Sequence, residues 1–437
     1  MANKLFETYA KRLEVADGVH QKAHLGEGLD NFKKIAIAKC LDNVNKFMTE
    51  AFENSVGTQR SDLGAWKKFA LNLTTVALPN LIAFDLVIVQ PMTSISGYIN
   101  YIQYTAGSNK GTTKQGDVLN DPFRLGKVDK DYTSERVVES FVGDGTAKAF
   151  KVMWGPIVTD SVKVLVNGAE KVVGTDYTVA EDGTITFTTA PAADDQIRIG
   201  YVYDNVKIPQ NDLPMVNVRM ESIALQAKAR RVAVYYSQIA AYQAKTDYGF
   251  DLADQLAEKA VGQLAYEIDT EITQLLIDNA ASDDDLVWSK TLPTGVSKTE
   301  HYEGFVEILE IARQRIYDRT KRFAPNYMLI ASNVLPILTF IKGFSAAPAT
   351  NINGPYFAGT LNSLKVFVTP NIEPGKFVIG VNGSDMMSSA AVYAPYMAVV
   401  PTQLLQFADG GNSQGWSTMY DLKLLNKDLL IAGRITA

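Results

Sequence analysis

The stretch FDLADQLAEKAVGQLAYEIDTEITQLLIDNA, which opens after Gly249 and closes at SDDDLVWSK, constrains the fold more than any other part of this chain. Leu256, Ala260, Leu264, Ile268 and Ile272 recur at i, i+4 steps, and Ala253, Ala257, Val261 and Ala265 form a second row beside them. Two adjacent rows give a broad apolar face on a helix about 40 Å long, at about 1.5 Å per residue. A face of that length has to be covered by other elements, and the flanking sequence offers them. VNVRMESIALQAKARRVAV alternates like a strand ahead of the helix. After it, EGFVEILEIARQRIYDRT reads as an amphipathic helix, NYMLIAS, LNSLKVFVTP and GKFVIGVNG as strands, and NVLPILTFIKGF as a helix that tolerates Pro336 only in its first turn. AVYAPYMAVVPTQLL and YDLKLLNKDLLIAGRITA supply closing β segments.

Residues 1–60 read as helical. Asp30 can cap a segment whose apolar residues fall at Phe32, Ile35, Ala36, Leu41, Val44, Phe47, Met48 and Phe52. Ser61 or Asp62 can cap a second helix, LGAWKKFALNLTTVAL, which Pro79 should disturb. YINYIQYTAG is a tyrosine-rich strand, followed by an exposed loop from Gly107 to Asp117.

Residues 137–206 change character. VKVLVNGAEKVV is two β runs joined by Asn167-Gly168, a type I′ hairpin signal, and DYTVAEDGTITF is a second pair around Asp182-Gly183. QIRIGYVYD is a further alternating run. Short strands at such spacing predict an inserted antiparallel sandwich or barrel.

Net charge is −6, which argues against a protein that wraps nucleic acid through a basic surface. Cys40 is the single cysteine, so no intramolecular disulfide forms; its place in a helical pattern predicts a small buried hydrophobe. MANKLFETYAKRLEVADG lacks the apolar core of a secretory signal, and the longest apolar window, Leu81 to Val89, contains Asp85 and is too short to span a bilayer.

Signals for chemistry are few. His20 and His24 stand at i, i+4, a spacing that can place two imidazoles on one face, but no third ligand is near; solvated residues in a loop or short helix are expected. Asp283-Asp284-Asp285 lacks the spaced oxygens of a calcium loop and is expected to be a solvated loop. Phosphate-binding and dinucleotide-binding glycine motifs and the nucleophile elbow are missing. The glycosylation tripeptides Asn72-Leu73-Thr74 and Asn382-Gly383-Ser384 are common by chance. No catalytic, cofactor or metal residue is predicted, and the chain is not expected to be an enzyme.

One further stretch carries a resemblance. PNLIAFDLVIVQPMTSISG holds Pro79, Asn80, Leu81, Ala83, Phe84, Asp85, then Val89, Gln90, Pro91, Met92, and Gly97. Composition makes it a buried strand with an awkward aspartate. The pattern resembles a signature of the major capsid proteins of T-even-like tailed bacteriophages (myoviruses). About 130 residues later, a basic cluster, Ala227, Lys228 and Arg230, precedes a helix, and a glycine-apolar-Asp step, Gly249, Phe250 and Asp251, starts the long helix. That passage is similar to the same family's strand-to-helix region. The resemblance is good over about residues 60–105 and 210–285, looser after 300, and absent in 137–206.

The resemblance implies an α+β, HK97-like capsid fold: an N-terminal arm, an extended β-hairpin loop, a peripheral domain with a long spine helix, and an axial domain, here with an inserted small all-β domain. On this chain it implies residues 1–76 as the helical arm, 77–136 as the start of the peripheral domain and first part of the extended loop, and 137–206 as the insertion. Residues 207–299 would return the loop and carry the spine helix, 300–390 would be mainly axial domain, and 391–437 would close both domains. It also implies trimming by a prohead protease after an (Ile/Leu)-x-Glu pattern, met at Leu5-Phe6-Glu7 and Leu25-Gly26-Glu27. The expectation here is an uncleaved arm.

The implied function is a major head protein that self-assembles, mainly as hexamers, into an icosahedral shell around double-stranded DNA. Its partners would be further copies of itself, a separate vertex protein, portal, scaffold and decoration proteins, and DNA contacted non-specifically, with no membrane. Its place would be the virion, after assembly in the bacterial cytoplasm. The arm helices would exchange with a neighbour, the hairpin would lie across an adjacent subunit, and the insertion would clamp subunits on the outer surface. Two other readings are a compartment shell of the same fold that encloses proteins, and glycan binding by the β module through Trp154, Tyr177, Tyr201 and Tyr203.

Overall fold

The computed structural model describes residues 2–23, 28–53, 70–72, 74–76, 78–108, 114–120, 136–204, 207, 215–249, 251–320, 323–347, 354–383, 386–402, 405–408 and 410–436. The chain divides into two compact units, residues 1–99 with 223–437, and residues 100–222. The class is α+β, as expected.

In the first unit the long helix spans Leu252–Asn279. Gly249 sits at φ +74, a left-handed turn that ends the preceding helix Gln238–Asp247, and the Asp251 carbonyl accepts the first helical hydrogen bond, from the Gln255 amide. Ala257, Ala260, Val261 and Leu264 pack on Val232, Val234, Val399 and Trp416. Burial of each large side chain contributes about 1.5–3 kcal/mol. Ile268, Ile272 and Leu276 continue into the main core.

The sheet beneath the helix runs in the order Ile88–Val89, Ala391–Pro401, Gly411–Leu424, Lys228–Ser237, with the short strand Leu405–Gln406 also on Gly411–Leu424. Strand Ala391–Pro401 is buried on nearly every residue, which explains its continuous apolar run. Pro395, which has no N–H to give the ladder, stands where the register shifts before Met397. A second, seven-stranded sheet runs Ala281–Ser289, Leu430–Thr436, Lys376–Gly380, Tyr327–Ile330, Leu364–Val368, Tyr356–Leu361, Phe344–Ala346. Helix Phe305–Thr320 lays Phe305, Leu309, Ala312 and Ile316 against it.

The first helix, Ala2–Ala23, packs on the second, Asn31–Glu53, and on the core through Tyr9, Leu13 and Ala16. Of the apolar face predicted on the second helix, Ala36, Leu41, Val44 and Met48 are buried within the subunit, while Phe32 and Phe47 are exposed. Cys40 is buried, and burial pushes its thiol up to about 12. Residues 70–72 and 74–76 are helical; the rest of the second predicted helix before them lies outside the described residues.

The second unit holds two sheets over one core. Arg136–Val142, Gln196–Tyr203, Ile157–Val166 and Ala169–Lys171 form one, and Ala149–Lys151, Thr184–Phe187 and Tyr177–Val179 the other. Asn167 (φ 49) and Gly168 (φ 83) make the predicted two-residue turn, and Gly183 (φ 85) turns the second hairpin. Tyr177, Tyr201 and Tyr203 are buried and Trp154 is partly buried, so three of the four candidate glycan-platform aromatics are fully committed to the core. Outside the module, strand Ser96–Ala106 pairs with Val216–Gln226 and with Val118–Asn120.

Candidate functional site: an ionic junction at Asp85

The signature stretch is not a single strand. Leu78–Asn80 is a 3₁₀ turn, Ala83–Leu86 a single helical turn, and Ile88–Val89 a two-residue strand parallel to Val392–Tyr393. Pro79, Leu81, Ala83 and Phe84 are buried. The Gln90 amide donates to the Tyr393 carbonyl at 2.9 Å, and the Met92 amide to that of Pro395 at 2.9 Å, across the buried Pro91. Gly97 lies in a strand with room for a methyl group, so nothing in the structure explains a glycine there.

Asp85 is the centre of this knot. Its side chain is 1% exposed, and one carboxylate oxygen, Oδ1, receives both Lys33 Nζ and Lys365 Nζ at 3.3 Å. Lys33 comes from the second helix and Lys365 from the seven-stranded sheet. The Asp85 carbonyl accepts from Asn382 Nδ2 at 2.9 Å. Two ammonium groups offset the desolvation of one carboxylate, so the pairing is geometrically demanding more than strongly stabilising. It fixes the register of three segments distant in sequence.

Neighbouring polar contacts tie the same stretch down. Asp269, on the long helix, accepts the Ile82 amide at 3.2 Å. Burial raises the Asp269 carboxyl well above its usual range, partly opposed by the Ile82 and Ala83 amides. Asn43 Nδ2 donates to the Met92 and Tyr396 carbonyls at 2.7 and 2.8 Å. His20 Nδ1 meets the Pro79 carbonyl at 3.2 Å. His20 is thus buried on a long helix, a correction to the solvated reading; His24 lies outside the described residues. The aspartate run is a strand and not the expected loop, with Asp283 half-buried and Asp285 exposed. It lies in strand Ala281–Ser289, where Arg315 pairs with Asp283 and, at 2.6 Å, with Asp285. Burial raises the Asp283 carboxyl, but Arg315, the Asp285 amide and Arg319 outweigh it and hold it below its usual value.

Of the second signature passage, Lys228 is exposed at a strand start and Arg230 holds both Glu271 oxygens at 2.8 and 3.1 Å, with Tyr420 donating to the same carboxylate at 2.5 Å. Arg230 therefore joins the sheet to the long helix. Gly249 and Asp251 start that helix; Phe250 lies outside the described residues. Glu7 is exposed on the first helix, while Glu27 lies outside the described residues. These positions do not converge on one catalytic centre. Among the described residues no three His, Cys, Asp or Glu groups are placed to hold a metal ion, and a small cavity beside the stretch is lined mainly by apolar residues, including Leu78, Leu81, Ile268 and Val399. No described helix is long and apolar enough to cross a membrane.

Sequence reasoning missed Lys33, Lys365, Asp269 and Asn43. For Asp269 a signal existed: it interrupts the apolar face four residues after Ala265 and three before Ile272.

Two consequences are measurable. Asp85→Asn leaves two ammonium groups facing each other and should destabilise the subunit by about 3 kcal/mol in urea unfolding, whereas Lys33→Met with Asp85→Asn should recover part of that loss. For Asp269 the folded carboxyl titrates above its unfolded value, so its contribution is present at low pH and is lost as pH rises through the folded value. Unfolding measured against pH should show the wild type losing stability relative to Asp269→Asn as pH climbs above the ordinary 3.8.

The family described as Major capsid protein Gp23 matches residues 63–427. The chain is 23% identical to the major capsid protein of Enterobacteria phage T4, over 79% of this chain and 73% of that one. It is 22% identical to the major capsid protein of Vibrio phage KVP40, over 80% and 74%. Among solved structures it is similar to the capsid of Myoviridae phage XM1, with 8% identity, TM-score 0.36, and 67% of this chain and 88% of that chain covered. The mature capsid of bacteriophage PhiM1 gives 11% identity, TM-score 0.35, and coverage of 53% and 78%. With a match that covers most of its length, residues 63–427, the chain belongs to the Gp23 major capsid protein family.

Proposed function

We propose that this chain is the head-shell subunit of a T-even-like tailed phage and assembles, mainly as hexamers, into the shell that encloses double-stranded DNA. The observation that carries the reading, beside family membership, is an exposed apolar face on the long hairpin. Gly107 donates to the Met215 carbonyl at one end of the hairpin, and Ala227 to that of Ile95 at the other. Antiparallel pairing between those bonds sets Tyr104 opposite Val218 and Ile102 opposite Met220. These four are 43%, 63%, 43% and 70% exposed. Such a ladder is a liability in an isolated protein and suits burial against a neighbouring subunit.

The parts then take their roles. Residues 1–76 form the arm and 77–136 lead into the extended loop. Residues 207–299 return the loop and carry the spine helix, 300–390 are mainly axial domain, and 391–437 close both. The net charge of −6 suits a shell that contacts DNA without binding it tightly. Portal, scaffold, vertex and decoration proteins are the expected partners, with assembly in the host cytoplasm. No catalytic role is proposed, and the signature residues are read as structural. Glu7 and Glu27 remain candidate cleavage points on an arm expected to stay whole.

Residues 137–206 have their own core, built on Val137, Val164, Ile185, Ile197 and Tyr201, which suits an outer intersubunit clamp. Purified protein should form hexameric lattices, tubes or shells in negative-stain microscopy; a monomer at every concentration would overturn the reading. Removing residues 137–206 should leave a folded subunit but shells that dissociate at lower temperature or denaturant concentration. Unchanged shell stability would sink the clamp.

A further inference from the structure

The turn that opens the signature stretch, the long helix and the sheet beneath it meet around one small cavity. Leu78 and Leu81 line it from the first, Ala265 and Ile268 from the helix, and Val399 from strand Ala391–Pro401. Two polar side chains complete the wall, Tyr393 on that same strand and Thr418 on its neighbour Gly411–Leu424. Both residues are 0% exposed.

The Tyr393 ring stands against that of Tyr420, with centroids 5.4 Å apart. Among the described residues its hydroxyl finds no hydrogen-bond partner, and no solvent reaches it. Burial raises the phenol well above its ordinary range, so the group stays an O–H donor at neutral pH. A buried donor without an acceptor carries the full cost of its lost hydration. Phenylalanine would fill the same space without that cost, so the hydroxyl needs an acceptor to justify it. Thr418 faces the cavity with acceptor capacity to spare. Its Oγ1–H donates to the Met397 carbonyl at 3.1 Å, which leaves the lone pairs of Oγ1 to accept.

We propose that the cavity is a binding site for one structural water molecule, which accepts from the Tyr393 hydroxyl and donates to Thr418 Oγ1. Size and chemistry select this occupant. The cavity volume is about 10 Å³, close to the smallest space that holds a water and too small for any organic ligand. An apolar guest would leave the phenol unmatched. An ion would meet mainly apolar walls and only two neutral oxygens, too little to offset its desolvation. Two hydrogen bonds lie within the range that buried waters make. The water links side chains of two adjacent strands directly beneath the long helix, where the signature stretch also arrives. This site goes beyond the shell-forming reading and does not depend on it.

The sign of one substitution tests the proposal. With the water in place, Tyr393→Phe in the full chain should lower the folding equilibrium constant about fivefold in urea unfolding. A rise in that constant means a dry, unmatched hydroxyl and overturns the proposal. Thr418→Val removes the water's acceptor together with the bond to Met397. In that background Tyr393→Phe should cost nothing, or restore some stability, because the phenol has already lost its partner. An equal loss in both backgrounds means that Tyr393 bonds elsewhere, and overturns the bridge. Maps of the wild-type chain sharp enough to show ordered solvent give a reading that needs no variant. Density within hydrogen-bond distance of both oxygens is the expected result. An empty cavity, or a Tyr393 hydroxyl bonded directly to a protein group such as Asp269, would overturn it. None of these outcomes bears on whether the chain forms shells.

Discussion

A carboxylate buried without solvent must be met by cations, and the position of Asp85 makes three remote segments supply them. Lys33 arrives from the second helix, Lys365 from the seven-stranded sheet, and both reach the same oxygen at 3.3 Å. The pairing contributes little net energy once desolvation is counted, but any misplacement of the segments would strand a charge. The helical turn that carries Asp85 is fastened from the other side by Asp269 on the long helix. Helix, sheet and amino-terminal helices are in this way set to one register by polar contacts, while the apolar core around them supplies the stability.

That division suits a subunit used many times. Interior register is fixed by ions, whereas the hairpin ladder of Ile102, Tyr104, Val218 and Met220 is apolar and exposed. Such a ladder is unfavourable for a chain that stays alone. It becomes an asset when identical neighbours cover it, and each contact can be modest because it is repeated. The amino-terminal helices are divided: Ala36, Leu41, Val44 and Met48 pack within their own subunit, while Phe32 and Phe47 are exposed.

Much of this was legible in the residues. The i, i+4 rows gave the long helix, because a single-chain periodicity of 3.6 is set by backbone geometry alone. Asn167-Gly168 gave its turn because positive φ at two successive residues leaves few other choices. The isolated Asp85 announced a need for a partner. His20 and Asp283 were misread as solvated, since nothing local distinguishes a polar side chain in water from one held by a Pro79 carbonyl or an Arg315 guanidinium.

What the sequence by itself determined was the kind and order of the long helix and most strands, the turns of the β module, and the family. Which lysines meet Asp85, which carboxylate receives the Ile82 amide, and which strand is left at the edge were decided only by the tertiary structure. The physical reason is separation: Lys33 and Lys365 lie 52 and 280 residues from Asp85, and contacts across such distances are chosen by how sheets and helices stack, not by any local pattern.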